Sequence, residues 1–270
     1  MRQLLAFEYR KLVRSKALYI CLIVMAVLSV AGVIITRSTM NMLNSFGGMY
    51  DDDLMGAGGF FSGYSGMRYL VSSCKGTNMT IFFAIFVTIF ICADFTEGTI
   101  KNIVARGFSR EKVFFAKSIV ICSGSVVFSI LSMLVGFIAG TIAFEAGSGF
   151  DGGVVVTLLV QLLAMIAYTM MNVLLGVLFG KLGGALTLGI IIPLVYPLLI
   201  QLLDLLIVVL SKNYDVRSDF FSRFTVGTNI DKISELDVPG NDLLIAAVIF
   251  AVYILFFTLL GVLAIRKKEV

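Results

Sequence analysis

The run Ile81-Phe82-Phe83-Ala84-Ile85-Phe86-Val87-Thr88-Ile89-Phe90-Ile91-Cys92 passes directly into Ala93-Asp94-Phe95-Thr96-Glu97-Gly98-Thr99-Ile100-Lys101-Asn102-Ile103-Val104-Ala105-Arg106-Gly107-Phe108-Ser109-Arg110-Glu111-Lys112-Val113-Phe114-Phe115-Ala116-Lys117. A membrane β-strand would alternate apolar and polar residues over about ten positions. The first run does not alternate, and neither does Val154 to Leu163. The pattern therefore predicts an all-α integral membrane protein. The second run is charged and punctuated by Gly98, Gly107 and Ser109, so it is expected to stay in water between two spans.

The whole chain agrees with this reading. Its 270 residues are 59% apolar and 14% charged, with a mean hydropathy of +1.01. Soluble domains hold roughly 45 to 50% apolar and about 25% charged residues. A hydrocarbon core of about 30 Å takes roughly 20 apolar residues of helix. Six stretches meet that need, near 17–35, 78–93, 118–144, 154–179, 185–210 and 242–265. They leave 1–16 as an N-terminal segment, 94–117 as an internal loop, and 36–77 and 211–241 as segments on the opposite side, all within one transmembrane domain covering 1–270.

Sidedness follows from Lys and Arg, which concentrate in cytoplasmic loops. The two termini, the 94–117 loop and Lys181 together hold fourteen basic and five acidic residues, whereas the alternate segments hold seven basic and eleven acidic. Both termini and the 94–117 loop are thus predicted to be cytoplasmic. The first apolar run, about 19 residues long, exceeds a secretory signal and follows an amphipathic segment, so it is read as a retained span.

In residues 1–16, Met1, Leu4, Leu5, Tyr9, Leu12 and Val13 share one side of a helix, while Gln3, Arg10, Lys11 and Arg14 share the other. Such a helix lies in the membrane interface, or serves only as a basic topology anchor. The run Asp51-Asp52-Asp53 lacks the alternate spacing and distal Glu of a calcium loop and reads as a solvated acidic stretch. Gly136-x-x-x-Gly140 and Gly176-x-x-x-Gly180 have the spacing for close helix approach, within the chain before any dimer seam. Pro193 and Pro197 should each kink the fifth span, and Asp219 to Phe224 reads as interfacial.

Enzyme chemistry finds little support. There is no histidine, the four cysteines imply no disulfide framework, no metal site is apparent, and no phosphate-binding Gly-x-x-x-x-Gly-Lys-[Ser/Thr] loop is present. Polar residues within spans are the remaining pathway candidates. Gln161, Tyr168 and Asn172 fall on one face of the fourth span, and Gln201 and Asp204 on one face of the fifth. Asp204 lies about 28 Å along its helix from Ala185, where it reads as an interfacial carboxylate.

Within 94–117, Gly98 ends the second span and Thr99 is expected to cap a two-turn helix, Ile100 to Arg106, that Gly107 closes; Ser109 caps the third span. Ile100, Ile103 and Val104 form its apolar face. A helix this short is unstable alone, so that face must rest on the membrane, on the protein's own spans or on a partner.

The order Glu97-Gly98-Thr99, a basic short helix, Ser109-Arg110 and Phe115-Ala116-Lys117 resembles the cytoplasmic loop of permease subunits of the ABC type-2 (ABC-2) exporter family. The layout of six spans, internal termini and a terminal Arg-Lys-Lys resembles that family across the chain. The resemblance implies a bacterial plasma-membrane permease, a homodimer or a heterodimer with a paralogue, docked on two copies of a cytoplasmic ATPase. That partner would hold ATP and Mg, with no cofactor on this chain and no nucleic acid involved. The short helix would be a coupling helix. Glu97, Gly98 and Thr99 would set its geometry, and Ile100, Ile103 and Val104 would sit in the ATPase groove. Arg106, Arg110 and Lys117 would meet the ATPase or lipid headgroups. The long glycine-rich segment after the first span departs from carbohydrate exporters and suits peptide, toxin, antibiotic or ion export of the bacitracin or lantibiotic type. Competing readings are a secondary transporter or channel, which needs charges deep in the spans, and a non-transporting scaffold or sensor subunit.

Overall fold

A computed structural model describes residues 1–47, 64–75, 77–147, 151–211, 221–236 and 238–268. Among these residues the chain is helical, with no strand. The elements are α1 (Arg2–Arg14), α2 (Lys16–Gly47), α3 (Gly66–Ser72), α4 (Thr77–Thr96), α5 (Thr99–Ala105), α6 (Arg110–Ala143), α7 (Gly152–Phe179), α8 (Leu182–Ser211), a 3-10 turn (Ser222–Phe224), α9 (Val226–Ile233) and α10 (Gly240–Lys267). Six of them, α2, α4, α6, α7, α8 and α10, are long and apolar enough to cross a membrane.

The bundle is built around α4 and α7. Of their most apolar stretches, 61% and 50% of residues are buried, against 11% in α8 and 17% in α2 and α10, which form the flanks. Helix α7 packs on α4, α6, α8 and α10. Phenylalanines fill the interior: Phe83, Phe86, Phe114, Phe128 and Phe250 are fully buried, with the Phe83 and Phe128 rings 5.2 Å apart. Both termini lie at one end of the bundle, called here the basic end; α3 and α9 lie at the far end.

The first connection differs from the expectation. Helix α2 continues past residue 35 to Gly47, and α3 is a buried wedge rather than part of a solvated loop. Its apolar stripe, Met67, Leu70 and Val71, is too short to register as a hydropathic segment, yet it is almost wholly covered. The free N–H groups of its first turn are taken by Glu145 O (2.7 Å from Gly66 N), Ala146 O (3.1 Å from Met67 N) and the Ser65 hydroxyl. The run Asp51-Asp52-Asp53 and residues Asp219 and Phe220 lie outside the described residues. Helix α8 passes through Pro193 and Pro197 as one continuous helix.

The small-residue pair Gly136 and Gly140 on α6 is where α3 seats. A Cβ on Gly140 would stand 3.0 Å from Gly66 Cα and 2.7 Å from the Tyr69 ring. Helix α3 is held by backbone at that point and has little room to yield. Gly140→Ala is therefore expected to destabilise the fold by about 1–3 kcal/mol through overpacking. Thermal unfolding of the purified variant measures this, and an unchanged midpoint would show that α3 shifts freely.

Candidate functional site

The turn between α4 and α5 depends on Gly98, whose φ of 68° lies in the left-handed region. Gly98, not Thr99, takes the capping position, and Thr99 is already the first helical residue. No side chain caps α5; the glycine reverses the chain and leaves the Thr99 hydroxyl unneeded. Gly107, at φ 90°, ends the helix as the sequence predicted. Ser109 holds the capping position of α6, its carbonyl accepting from Val113 N at 3.2 Å, but its hydroxyl makes no capping bond.

The apolar face of α5 rests on the protein itself. Ile100 is 1% exposed, and Ile103 packs with Leu4 of α1 and with Val113 and Ala116 of α6, flanked by Leu5 and Phe108. Leu4 of α1 covers Ile103, and Ile100 is buried beside Phe95 and Phe179, so both side chains are taken up by the protein's own packing. Val104 and Thr99 are half-buried. The opposite face presents Lys101, Asn102, Ala105 and Arg106 to solvent, with Glu97 exposed just before the helix.

Lys117 points into the protein rather than outward. It is 5% exposed and donates to Glu8 Oε1 at 2.7 Å and to Asp94 Oδ2, while Lys11 donates to Asp94 Oδ1. Glu8 and Asp94 are both fully buried. The cause lies in α1, where Leu4, Glu8 and Leu12 recur every four residues and line the face laid on α6. Two ammonium groups and two carboxylates make the cluster neutral, the condition under which buried charge is tolerable. Sequence reasoning did not single out Glu8, Lys11 or Asp94 as site residues. The available signal was Glu8, an acid centred in the apolar stripe of an amphipathic helix.

Arg110 turns inward as well, donating to Lys268 O at 2.7 Å, and the exposed pair Arg266–Glu111 (2.6 Å) runs alongside. Lys268 closes the end of α7, donating to Val177 O and Leu178 O and lying 4.3 Å over the Phe95 ring. Burial there pulls its ammonium below the usual lysine range. A cleft of about 210 Å³ opens between Gly98, Lys101, Lys181 and Lys268. Among the described residues no three His, Cys, Asp or Glu side chains come together as metal ligands.

The polar residues of the spans do not form one path. Gln161 is fully buried and donates to Val71 O (2.8 Å) and Ile233 O (3.2 Å), joining α7 to α3 and α9. Asp204 accepts from Phe221 N (2.7 Å) and Ser222 N (3.0 Å), so it caps the 3-10 turn. Both carry structure because each meets unpaired backbone groups of a short far-end element. Gln201 is exposed on the flank of α8. Asn172 is buried and donates to Tyr168 O, its Oδ1 facing Gly189, where a Cβ would stand 2.6 Å away. Tyr168 lines a cavity. That cavity, about 270 Å³, is walled by aromatic and proline residues including Tyr196, Tyr253, Pro193 and Pro197.

A family model described as ABC-2 family transporter protein matches residues 4–200, from α1 into α8. The chain belongs to that family. As an ABC-2 family protein it is a multi-pass membrane transport subunit, not itself catalytic, and its family works with an ATPase subunit. The match includes the ion cluster and α5, and stops before Asp204 and α10. No curated protein matches the chain significantly.

Proposed function

We propose that the chain is the permease subunit of an ATP-driven exporter in a bacterial plasma membrane. It pairs with a second permease, identical or a paralogue, and docks on two copies of a cytoplasmic ATPase that bind ATP and Mg. The observation that carries this reading is the two-faced α5: its apolar side is welded to α1 and α6, and its other side offers Glu97, Lys101, Asn102 and Arg106 to solvent. Docking therefore uses the polar face, with the exposed Lys181 beside it receiving acidic side chains of the ATPase.

A push on α5 from nucleotide-driven closure would reach the spans through rigid contacts. Ile103 bears on Val113 and Ala116, and Asp94 at the end of α4 is tied through Lys117 to α6 and through Lys11 to α1. The ATPase must contact this face differently in its two nucleotide states, or no work is transmitted. The Tyr168 cavity between α7, α8, α9 and α10, about 270 Å³, has room for an apolar portion of an amphipathic peptide, toxin or antibiotic, its hydroxyls spaced on an otherwise apolar wall.

Charge reversal of the exposed pair, Lys101→Glu with Arg106→Glu, tests the reading. Co-purification with the ATPase is expected to fall at least about tenfold, the worth of one charge-assisted contact, and substrate-stimulated ATP turnover is expected to be lost. The unfolding midpoint should stay unchanged, because both residues are exposed. Intact assembly and turnover in the double variant would overturn the coupling role of this face.

A further inference from the structure

We infer that the groove between the far ends of α2 and α6 binds the phosphate-bearing head and one acyl chain of a membrane phospholipid. The groove, about 410 Å³, is lined along its length by Val33 and Ile34 of α2 and by Ile138 and Ile142 of α6, with Arg37 and Asn41 at its far end. Its volume falls within the usual range of small-molecule sites. Its walls are apolar and its mouth is cationic, the pattern of an amphiphile with an anionic head.

Height along α2 fixes which part of a lipid meets which residue. Arg37 stands 21 residues beyond Lys16. At 1.5 Å per residue this is about 31 Å, the thickness of the hydrocarbon core, so the guanidinium reaches headgroup level while Val33 and Ile34 remain among acyl chains. Arg37 is exposed and takes part in none of the ion pairs found among the described residues. Guanidinium matches phosphate with paired hydrogen bonds, which an ammonium does not reproduce.

A second copy of the chain is the competing occupant. A twofold interface presents the same patch on both subunits. No carboxylate lines this groove among the described residues, so a twofold interface centred on it would place two Arg37 guanidinium groups near each other without a counter-charge from the described lining. The lipid phosphate removes that conflict.

The test uses the detergent-purified full chain, titrated with phosphatidylglycerol and with diacylglycerol of the same acyl chains, and read by native mass spectrometry. One phosphatidylglycerol should be retained per chain, with diacylglycerol bound far more weakly. Arg37→Gln should weaken retention about tenfold, the loss of one charge-assisted contact. Ile138→Trp fills the groove and keeps the cation, and should weaken it as strongly; Arg223→Gln, at a distant exposed cation, should not. Equal retention by Arg37→Gln, or equal binding of diacylglycerol, overturns the inference. So does inter-chain disulfide formation by Ser38→Cys in membranes, which would give the groove to a second copy.

Discussion

Lys117→Met is expected to destabilise the purified chain by about 3–5 kcal/mol, the usual cost of removing one partner from a buried ion pair. Lys117 is shared by two fully buried carboxylates. Without it, Asp94 keeps Lys11, but Glu8 is left with no cation, and its Oε2 already lacks a partner. Methionine preserves most of the side-chain volume, so the loss reports on charge more than on packing. The companion variant Glu8→Gln with Lys117→Met should recover most of the stability, because it removes one charge of each sign and leaves the Lys11–Asp94 pair whole. Thermal unfolding in detergent compares the three proteins. A Lys117→Met midpoint equal to the parent's would mean that the cluster does not hold α1 in place. Trypsin cleavage after Arg10 and Arg14 adds a local readout: both side chains are exposed, but their backbone is helical, and release of α1 from α6 should let the helix unfold into the protease.

The consequence for transport lies in which bodies move together. The cluster joins α1, the end of α4 and the start of α6 into one unit, and α5 is seated on the same unit through Ile103. Displacement of α5 thus cannot be local. This follows from side chains 109 residues apart in the sequence, Glu8 and Lys117, meeting in a dry site.

That distance also explains what was legible in the sequence. Hydropathy located six spans, and the punctuation by Gly98 and Gly107 located α5, because both signals are local and repeat at helical spacing. The apolar face of α5 was equally visible, and the need for something to cover it was clear. What covers it was not, since Leu4 reaches it from a different helix. Charge counting treated Asp94 and Lys117 as loop residues in water and so could not register that they neutralise each other inside. Helix α3 was missed because seven residues carry too little periodicity to stand out beside a 32-residue helix. Gln161 and Asp204 stand out in the sequence as polar residues within their spans, but such a residue marks either a pathway or an anchor. The partner decides, and the partners here are backbone groups of the far-end elements.

Gln161→Leu separates those two roles. The Gln161 amide donates to Val71 O and Ile233 O, carbonyls at the C-terminal ends of α3 and α9, where no further helical turn supplies a donor. Leucine is close in size and suited to the surroundings, so packing is retained while both carbonyls lose their bond in a buried setting. An unpaired buried acceptor costs about 1–3 kcal/mol; leucine leaves two and removes one, the unpartnered Gln161 Oε1, so the net effect is at most about 3 kcal/mol. The two short helices should then detach from α7 in a larger fraction of molecules, at most about a hundredfold by the same energy. Limited trypsinolysis after Lys75, just past α3, and Lys232, in the last turn of α9, measures the change directly. A pathway residue would behave differently: its replacement would leave cleavage unchanged and alter substrate-stimulated ATP turnover in the assembled transporter. Accelerated cleavage with a lowered unfolding midpoint assigns Gln161 to holding the far end closed against α7, and unchanged cleavage returns it to the translocation path.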